Sequence, residues 1–259
     1  MILAAPLRRD ADIFLADVHL EPESPGRLAA FLRFLDELST PPSPRALFIL
    51  GDLFDVWLGA PSLRDPRNAV VLEALRRLSR GGVRVVLFQG NRDFLIDHAF
   101  ANAAEVEVVE EGCALVVGDG AAFLCHGDRL FREDRAHLTL RGVLRSRAGR
   151  CIARLLPPPA LRAASRLLRR TSRTRQGGRE HARPQLFPAS EVSRLLRGGF
   201  ETLIAGHIHV ERELRLIVDG RSRRVFTLGA WEERGSILVH SPSMHGASGF
   251  QFHSFAFDP

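Results

Sequence analysis

Short apolar runs alternate with longer amphipathic stretches along the N-terminal third of the chain. Residues 12–16, 46–50 and 83–89 are compact apolar runs of the kind that form buried strands. Between them, residues 24–38 and 68–80 place apolar side chains at three- and four-residue spacing, which predicts amphipathic helices. This β-α-β-α-β order predicts parallel strands joined by crossover helices.

The rest of the chain is rich in short strand-like runs separated by turn residues. The predicted strands are residues 106–109, 113–117, 121–125, 202–205, 214–218, 224–228, 236–239 and 249–257. Asp219-Gly220 and Gly235 mark turns between some of them. The pattern therefore predicts an α/β fold in which the second half supplies a further, strand-rich sheet.

Residues 129–190 differ in pattern from the segments on either side. Within residues 140–155, apolar side chains at helical spacing are interleaved with arginines, which predicts a basic amphipathic helix. Three consecutive prolines end it, and residues 161–170 repeat the helical pattern. We therefore predict a core made of residues 1–128 and 191–259, with residues 129–190 inserted as a helical cap.

The distribution of charge sets this predicted cap apart. The chain has no lysine, and all 36 of its basic residues are arginines. Sixteen arginines and three acidic residues lie between residues 129 and 183, whereas the whole chain carries a formal net charge of only +6. The cap is thus strongly basic and the remainder is acidic. This favours an anionic partner for the cap, although a solvated helical face would show the same charge pattern.

Composition excludes several classes of protein. With 45% hydrophobic residues, the chain can bury a substantial core. The sequence has no apolar run of about 18 residues, and its first twelve residues include acidic Asp10 and Asp12 without the hydrophobic stretch of a signal peptide. We therefore expect a cytoplasmic location. Cys113, Cys125 and Cys151 are odd in number and lack CxxC spacing, which argues against disulfides and zinc knuckles.

Five short polar motifs directly follow predicted strands. They are Asp17-Val18-His19, Gly51-Asp52-Leu53-Phe54-Asp55, Gly90-Asn91-Arg92-Asp93, His126-Gly127-Asp128 and Gly206-His207-Ile208-His209. Because the carboxyl ends of strands form the ligand crevice of an open α/β sheet, these motifs are expected to converge. One such motif alone is more often structural or accidental, but five in order indicate a functional site.

The residue types in these motifs favour divalent metal ions. Carboxylate, imidazole and amide oxygen are the ligands of borderline-hard ions, and cysteine is missing from every motif. Asp52 is the best candidate to bridge two ions, because a carboxylate offers two oxygens. The candidate metal ligands are Asp17, His19, Asp52, Asn91, His126, His207 and His209.

The set of motifs resembles the calcineurin-like metallophosphoesterase family, with its D-x-H, GDxxD, GN and GHxH pattern. The resemblance implies a four-layer α/β/β/α sandwich that carries the basic helical cap as an insertion. It also implies two divalent ions, with Mn²⁺ as the expected metal. It implies one ion at Asp17, His19 and His209, the other at Asn91, His126 and His207, and Asp52 at both. Arg92 stands where many members have a histidine that acts as a general acid. The catalytic residues that the resemblance implies are Arg92 and Asp52.

Within that family, the chain is similar to the UDP-2,3-diacylglucosamine pyrophosphatase branch from about Ile13 to Ser236. The similarity rests on residues 50–59, 90–95, 126–130 and 228–236. It implies hydrolysis of UDP-2,3-diacylglucosamine to UMP and 2,3-diacylglucosamine 1-phosphate in lipid A biosynthesis, at the anionic cytoplasmic face of the inner membrane. The implied substrate-binding residues are Asn91, Arg92, Asp134, Ser172, Gln176, Arg179 and His207.

The block at residues 228–236 contains no expected metal ligand, and its match therefore argues for the branch itself. The chain departs from the branch pattern at His137, Gln176, Arg179, Ile208, Val210 and Glu211. Another phosphoesterase of the same fold that acts on nucleotides is the first alternative, and the 228–236 block argues against it.

A nucleic-acid-binding protein is the second alternative, since the sequence pI is about 10.8. The cap arginines alternate with a leucine stripe and lack interleaved aromatics, so we expect no nucleic-acid partner. The pattern leaves the oligomeric state open. Trp57 and Trp231 are interpreted as core residues, while Asp55 and Asp93 either orient a histidine or Arg92 or lie on the surface.

Overall fold

The computed structural model describes residues 10–21, 23–93, 95–118, 120–131, 186–242 and 249–257. Its strands, in chain order, are β1 (Asp12–Leu15), β2 (Ala46–Leu50), β3 (Arg84–Phe88), β4 (Glu107–Val109), β5 (Gly112–Val117), β6 (Gly120–Cys125), β7 (Thr202–Ala205), β8 (Arg212–Val218), β9 (Arg221–Thr227), β10 (Arg234–His240) and β11 (Phe250–Ala256). Its α-helices are α1 (Pro25–Ser39), α2 (Pro66–Arg80), α3 (His98–Ala104) and α4 (Ala189–Leu196). Short 3₁₀ helices span Ala60–Arg64 and Asp128–Leu130.

Two mixed sheets are built from these strands. The first has the order β11-β10-β1-β2-β3-β4, in which β1 to β4 run parallel and β10 is antiparallel to β1. The second has the order β5-β6-β7-β9-β8, with β6, β7 and β9 parallel. The parallel arrangement predicted for the first three strands is confirmed, since Ile13 pairs with Leu47 and Leu47 with Val85.

Alternating side chains along each strand create two separate cores. Ile13 and Leu15 of β1 face the helices and pack in a cluster with Phe34 of α1 and Leu75 of α2. Phe14, between them, points the opposite way into a cluster shared by the two sheets. The division follows from the period of two along a strand, which sends neighbouring residues to opposite faces.

A third cluster covers the outer face of the second sheet. Val192 and Leu196 of α4 pack there with Leu203 of β7 and Val225 of β9. The molecule is therefore layered as helices, sheet, sheet and helix. This confirms the α/β fold predicted from the strand and helix pattern and the α/β/β/α layering that the family resemblance implies.

The ends of the helices follow local sequence signals. Asp65 caps α2, because its side chain accepts a hydrogen bond from the Arg67 amide at 3.0 Å. Asp97 caps α3 in the same way through the Ala99 amide. The sequence pattern did not predict α3, because seven residues are too few to establish a helical period.

The predicted basic helices at 140–155 and 161–170 lie outside the described residues, as does Cys151. The described residues at the edges of the predicted cap pack against the second sheet, where Leu130 and Phe187 join the cluster of α4. Cys113 and Cys125 are free thiols. Among the described helices, none combines the length and hydropathy needed to cross a bilayer.

Candidate metal centre

The five motifs all lie at the carboxyl ends of parallel strands. Asp17 and His19 follow β1, Asp52 follows β2, and Asn91 with Arg92 follows β3 in the first sheet. His126 follows β6, and His207 with His209 follows β7 in the second sheet. The two sheets therefore present their strand ends to one shared crevice, as the position of the motifs directly after the strands predicts.

Three side chains form the first group of ligand atoms. The Nε2 atoms of His19 and His209 are 3.3 Å apart. Oδ1 of Asp17 lies 3.3 Å from Nε2 of His209 and 3.7 Å from Nε2 of His19. All three donors thus face one another across a small triangle with sides of 3.3 to 3.7 Å.

Asn91 joins two histidines in the second group. Its Oδ1 lies 2.8 Å from Nε2 of His126 and 3.0 Å from Nδ1 of His207. Asp52 stands between the two groups, since its Oδ2 is 3.7 Å from Nε2 of His126 and 4.0 Å from Nδ1 of His19. The structure therefore brings all seven candidate ligands into one cluster.

These distances fit a metal centre. Ligand atoms bound to one ion at about 2.0–2.2 Å lie roughly 3 Å from each other, which is close to the spacing in both groups. Oδ1 of Asp17, a buried polar atom at the centre of the first group, has no hydrogen-bond partner among the described residues. A buried polar atom left in this way is costly, and a bound cation would satisfy it.

Burial and charge pairing act together on the titratable groups of the site. Burial disfavours a charged His209, but the Asp17 carboxylate outweighs burial and raises the pKa of His209 to about 10. Burial likewise opposes ionisation of Asp17, yet His209 holds the pKa of that carboxyl well below its usual range. Burial lowers the pKa of His207 to about 3, so this imidazole is neutral and ready to bind a metal.

Two glycines allow the loops to approach closely. A Cβ on Gly90 would collide with the carboxylate of Asp52. A Cβ on Gly206 would lie 2.6 Å from Oδ2 of Asp17, the oxygen that accepts the His207 amide hydrogen bond at 2.8 Å. Larger residues at these positions would push the candidate ligands apart.

Asp93 anchors the loops that follow β2 and β3. Its fully buried carboxylate accepts backbone amide hydrogen bonds from Leu53 and Gly90, each at 2.8 Å, and longer ones from Asp52 and Phe54. Burial and the adjacent Asp52 charge raise the pKa of Asp93 to about 7. Neither interpretation that the sequence left open for Asp93 was right, because Asp93 is buried and its hydrogen bonds go to backbone amides rather than to a histidine or Arg92.

Arg92 is held at the rim of the same cluster. Its Nη1 pairs with the carboxylate of Asp55, and its Nε lies 3.8 Å from Oδ2 of Asp52. The Arg92 backbone amide also donates to Oδ1 of Asp52 at 2.9 Å. Asp55 is therefore the carboxylate that orients Arg92, one of the two interpretations left open by its position in the sequence.

The remaining candidates separate into core residues and undescribed ones. Trp57 and Trp231 are confirmed as core residues, at 1% and 0% exposure. His240 contacts Phe250 with its ring tilted and pairs in register with Asp12, at the opposite end of β1 from the cluster. The expected substrate residues Asp134, Ser172, Gln176 and Arg179 lie outside the described residues, as does His137.

The chain belongs to the calcineurin-like phosphoesterase family, whose model matches residues 13–211. It is a metal-dependent hydrolase. A relative named UDP-2,3-diacylglucosamine hydrolase from Pseudomonas aeruginosa is 35% identical over 239 residues, which cover 92% of this chain and 98% of the relative. Relatives with the same name from Pseudomonas putida and Azotobacter vinelandii are each 34% identical, and cover 95% and 87% of this chain and 99% and 92% of their own lengths.

Replacement of Asp93 by alanine should destabilise the metal-free protein. The change removes the carboxylate that accepts hydrogen bonds from four backbone amides in a buried site. We therefore expect the free energy of unfolding to fall by about 3 kcal/mol or more. Urea denaturation measures this loss. Asp36→Ala, which alters an exposed carboxylate on α1, should change stability by less than about 0.5 kcal/mol. Equal stabilities for the two variants would contradict the anchoring role.

Proposed function

We propose that this protein hydrolyses the pyrophosphate bond of UDP-2,3-diacylglucosamine. Water adds to the α-phosphorus, the bond from that phosphorus to the bridging oxygen breaks, and the products are UMP and 2,3-diacylglucosamine 1-phosphate. The observation that carries the proposal is the cluster of seven donors in a chain whose relatives, similar over almost their whole length, are named for this substrate.

In this proposal the seven residues hold two divalent ions. Asp17, His19 and His209 take one ion, a second set takes the other, and Asp52 contacts both. The second set is Asn91, His126 and His207. When bound, the pair of ions acidifies water and neutralises charge on the attacking and leaving oxygens. Mn²⁺ is the proposed metal, because the mixture of nitrogen and oxygen donors without sulfur suits it.

Arg92 has a separate role in the proposal, which is to neutralise charge on the phosphoryl group. Its planar, permanently charged guanidinium can donate two hydrogen bonds to phosphoryl oxygens. The ion pair with Asp55 fixes the guanidinium beside Asp52, so little reorganisation is needed when charge develops.

The chemistry of the leaving group supports an arginine at this position. A phosphate monoester, whose second pKa is about 6, departs without needing a proton from the enzyme. An alcohol leaving group would instead call for a general acid. An arginine where many family members have histidine therefore fits cleavage between two phosphates.

Selection of the diacylated substrate is proposed to depend on the segment between Phe131 and Leu186. Asp134, Ser172, Gln176 and Arg179 lie in it, along with most of the arginines that would meet an anionic inner-membrane surface on its cytoplasmic side. The ring centroids of Phe131 and His207 are 5.6 Å apart. The segment therefore begins directly beside the cluster. The segment is thus attached where it can present substrate to the ligands.

Product analysis tests the proposal. The protein is incubated with UDP-2,3-diacylglucosamine, with Mn²⁺ or with a chelator, in water enriched in ¹⁸O, and the products are analysed by mass spectrometry. We expect UMP that carries the label and unlabelled 2,3-diacylglucosamine 1-phosphate, with no turnover in chelator. Label in the lipid product would place attack at the other phosphorus. Absence of turnover with Mn²⁺ would refute the proposed substrate.

Arg92→Ala should lower kcat roughly a hundredfold or more without changing metal content, as expected when one preorganised donor to the transition state is lost. Arg92→Lys should recover only part of the rate, because a lysine retains the charge but not the planar fork. Steady-state kinetics and metal analysis of both variants measure this. Arg84→Ala is the control and should match the wild type, because Arg84 begins β3 at the end away from the cluster and pairs there with Glu107. Loss of metal in Arg92→Ala would show a structural role instead.

A further inference from the structure

The segment that joins β9 to β10 is attached directly to the first group of ligands. The Trp231 amide donates a hydrogen bond to the carbonyl of Asp17 at 3.0 Å. The Trp231 indole is completely buried, and its Nε1 donates to the carbonyl of Ser236 at 2.9 Å. The backbone of the next residue, Glu232, is consequently fixed in place beside the cluster.

The side chain of Glu232 reaches a candidate ligand from outside the crevice. Oε1 of Glu232 lies 3.6 Å from Nδ1 of His209. The other nitrogen of that ring, Nε2, faces Asp17 and His19. Each side of the His209 ring therefore meets a different partner: one the inner group of donors, the other the outer carboxylate.

This arrangement is the one by which a carboxylate orients a metal-binding histidine. A hydrogen on Nδ1 held by a carboxylate leaves Nε2 unprotonated, fixes the ring plane and makes the nitrogen a stronger donor. The 3.6 Å separation exceeds a hydrogen bond, but the Glu232 side chain is 63% exposed and has room to rotate toward the ring.

We propose that Glu232 is a positioning residue for His209, which it orients toward the ion held with Asp17 and His19. The inference rests on the proposed function, since it assumes that His209 binds a metal ion. It gives the block at residues 228–236 a role in the metal centre that its lack of ligands did not indicate.

The matched control is the adjacent residue. Glu233 has the same charge and side chain and is also exposed, and no contact among the described residues joins it to a candidate ligand. Glu232→Gln removes the charge and keeps the size, whereas Glu232→Ala removes the acceptor as well. Glu233→Gln makes the same change in net charge at a position that does not touch His209.

The experiment is a Mn²⁺ titration of the metal-free full chain and the three variants, followed by the electron paramagnetic resonance signal of unbound Mn²⁺. We expect Glu232→Gln to weaken the binding of one of the two ions by about tenfold, with Glu232→Ala weakened at least as much. Glu233→Gln should bind both ions as the wild type does. The thermal unfolding midpoint of the metal-free Glu232→Gln protein should be unchanged.

Three results would overturn the inference: wild-type affinity in Glu232→Gln, equal weakening in Glu233→Gln, or a lower unfolding midpoint that accounts for the weakening. Failure of the proposed function looks different. If the wild type itself bound no Mn²⁺, the metal centre would be wrong and the role of Glu232 with it. If the wild type bound two ions and Glu232→Gln did the same, only the role of Glu232 would be refuted.

Discussion

Left-handed backbone geometry at the strand ends is the constraint on which the site depends. Seven described non-glycine residues have positive φ, and five of them are candidate ligands: Asp17, His19, Asp52, His207 and His209. Each such residue costs about 1–2 kcal/mol, so the cluster is assembled against a substantial local penalty. Hydrogen bonds between loops offset it, among them those from the amide of Asp17 to the Gly51 carbonyl and from the amide of His19 to the Asp52 carbonyl. The strained turns aim the side chains at one another.

The cluster is held in place by packing on both faces of the first sheet. The inner core between them fixes the strand ends of β2 and β7 at one edge, while the helical layer fixes the loops after β1 through buried aromatic packing against Trp231. The candidate ligands are thus positioned by the packed sheets and helices of the fold. In the proposed function, recognition of the lipid is assigned to the segment attached beside Phe131.

The sequence predicted the strands, the parallel order of the first three and the convergence of the motifs, because each of these follows from local apolar patterns and from the polar residues at strand ends. Features that need distant parts of the chain to meet were not predictable. The contact of Glu232 with His209 depends on the hydrogen bond from Trp231 to Asp17, which no local pattern signals. The role of Asp93 was misjudged because its partners are backbone amides.

The proposed function requires that one cluster hold two ions, with Asp52 between them. Anomalous X-ray diffraction at the manganese edge, from crystals grown with Mn²⁺, tests this most directly. Two anomalous peaks a few ångströms apart are predicted, one contacting Asp17, His19 and His209 and the other contacting the second set, with Asp52 touching both. A single peak, or peaks away from Asp52, would contradict the account.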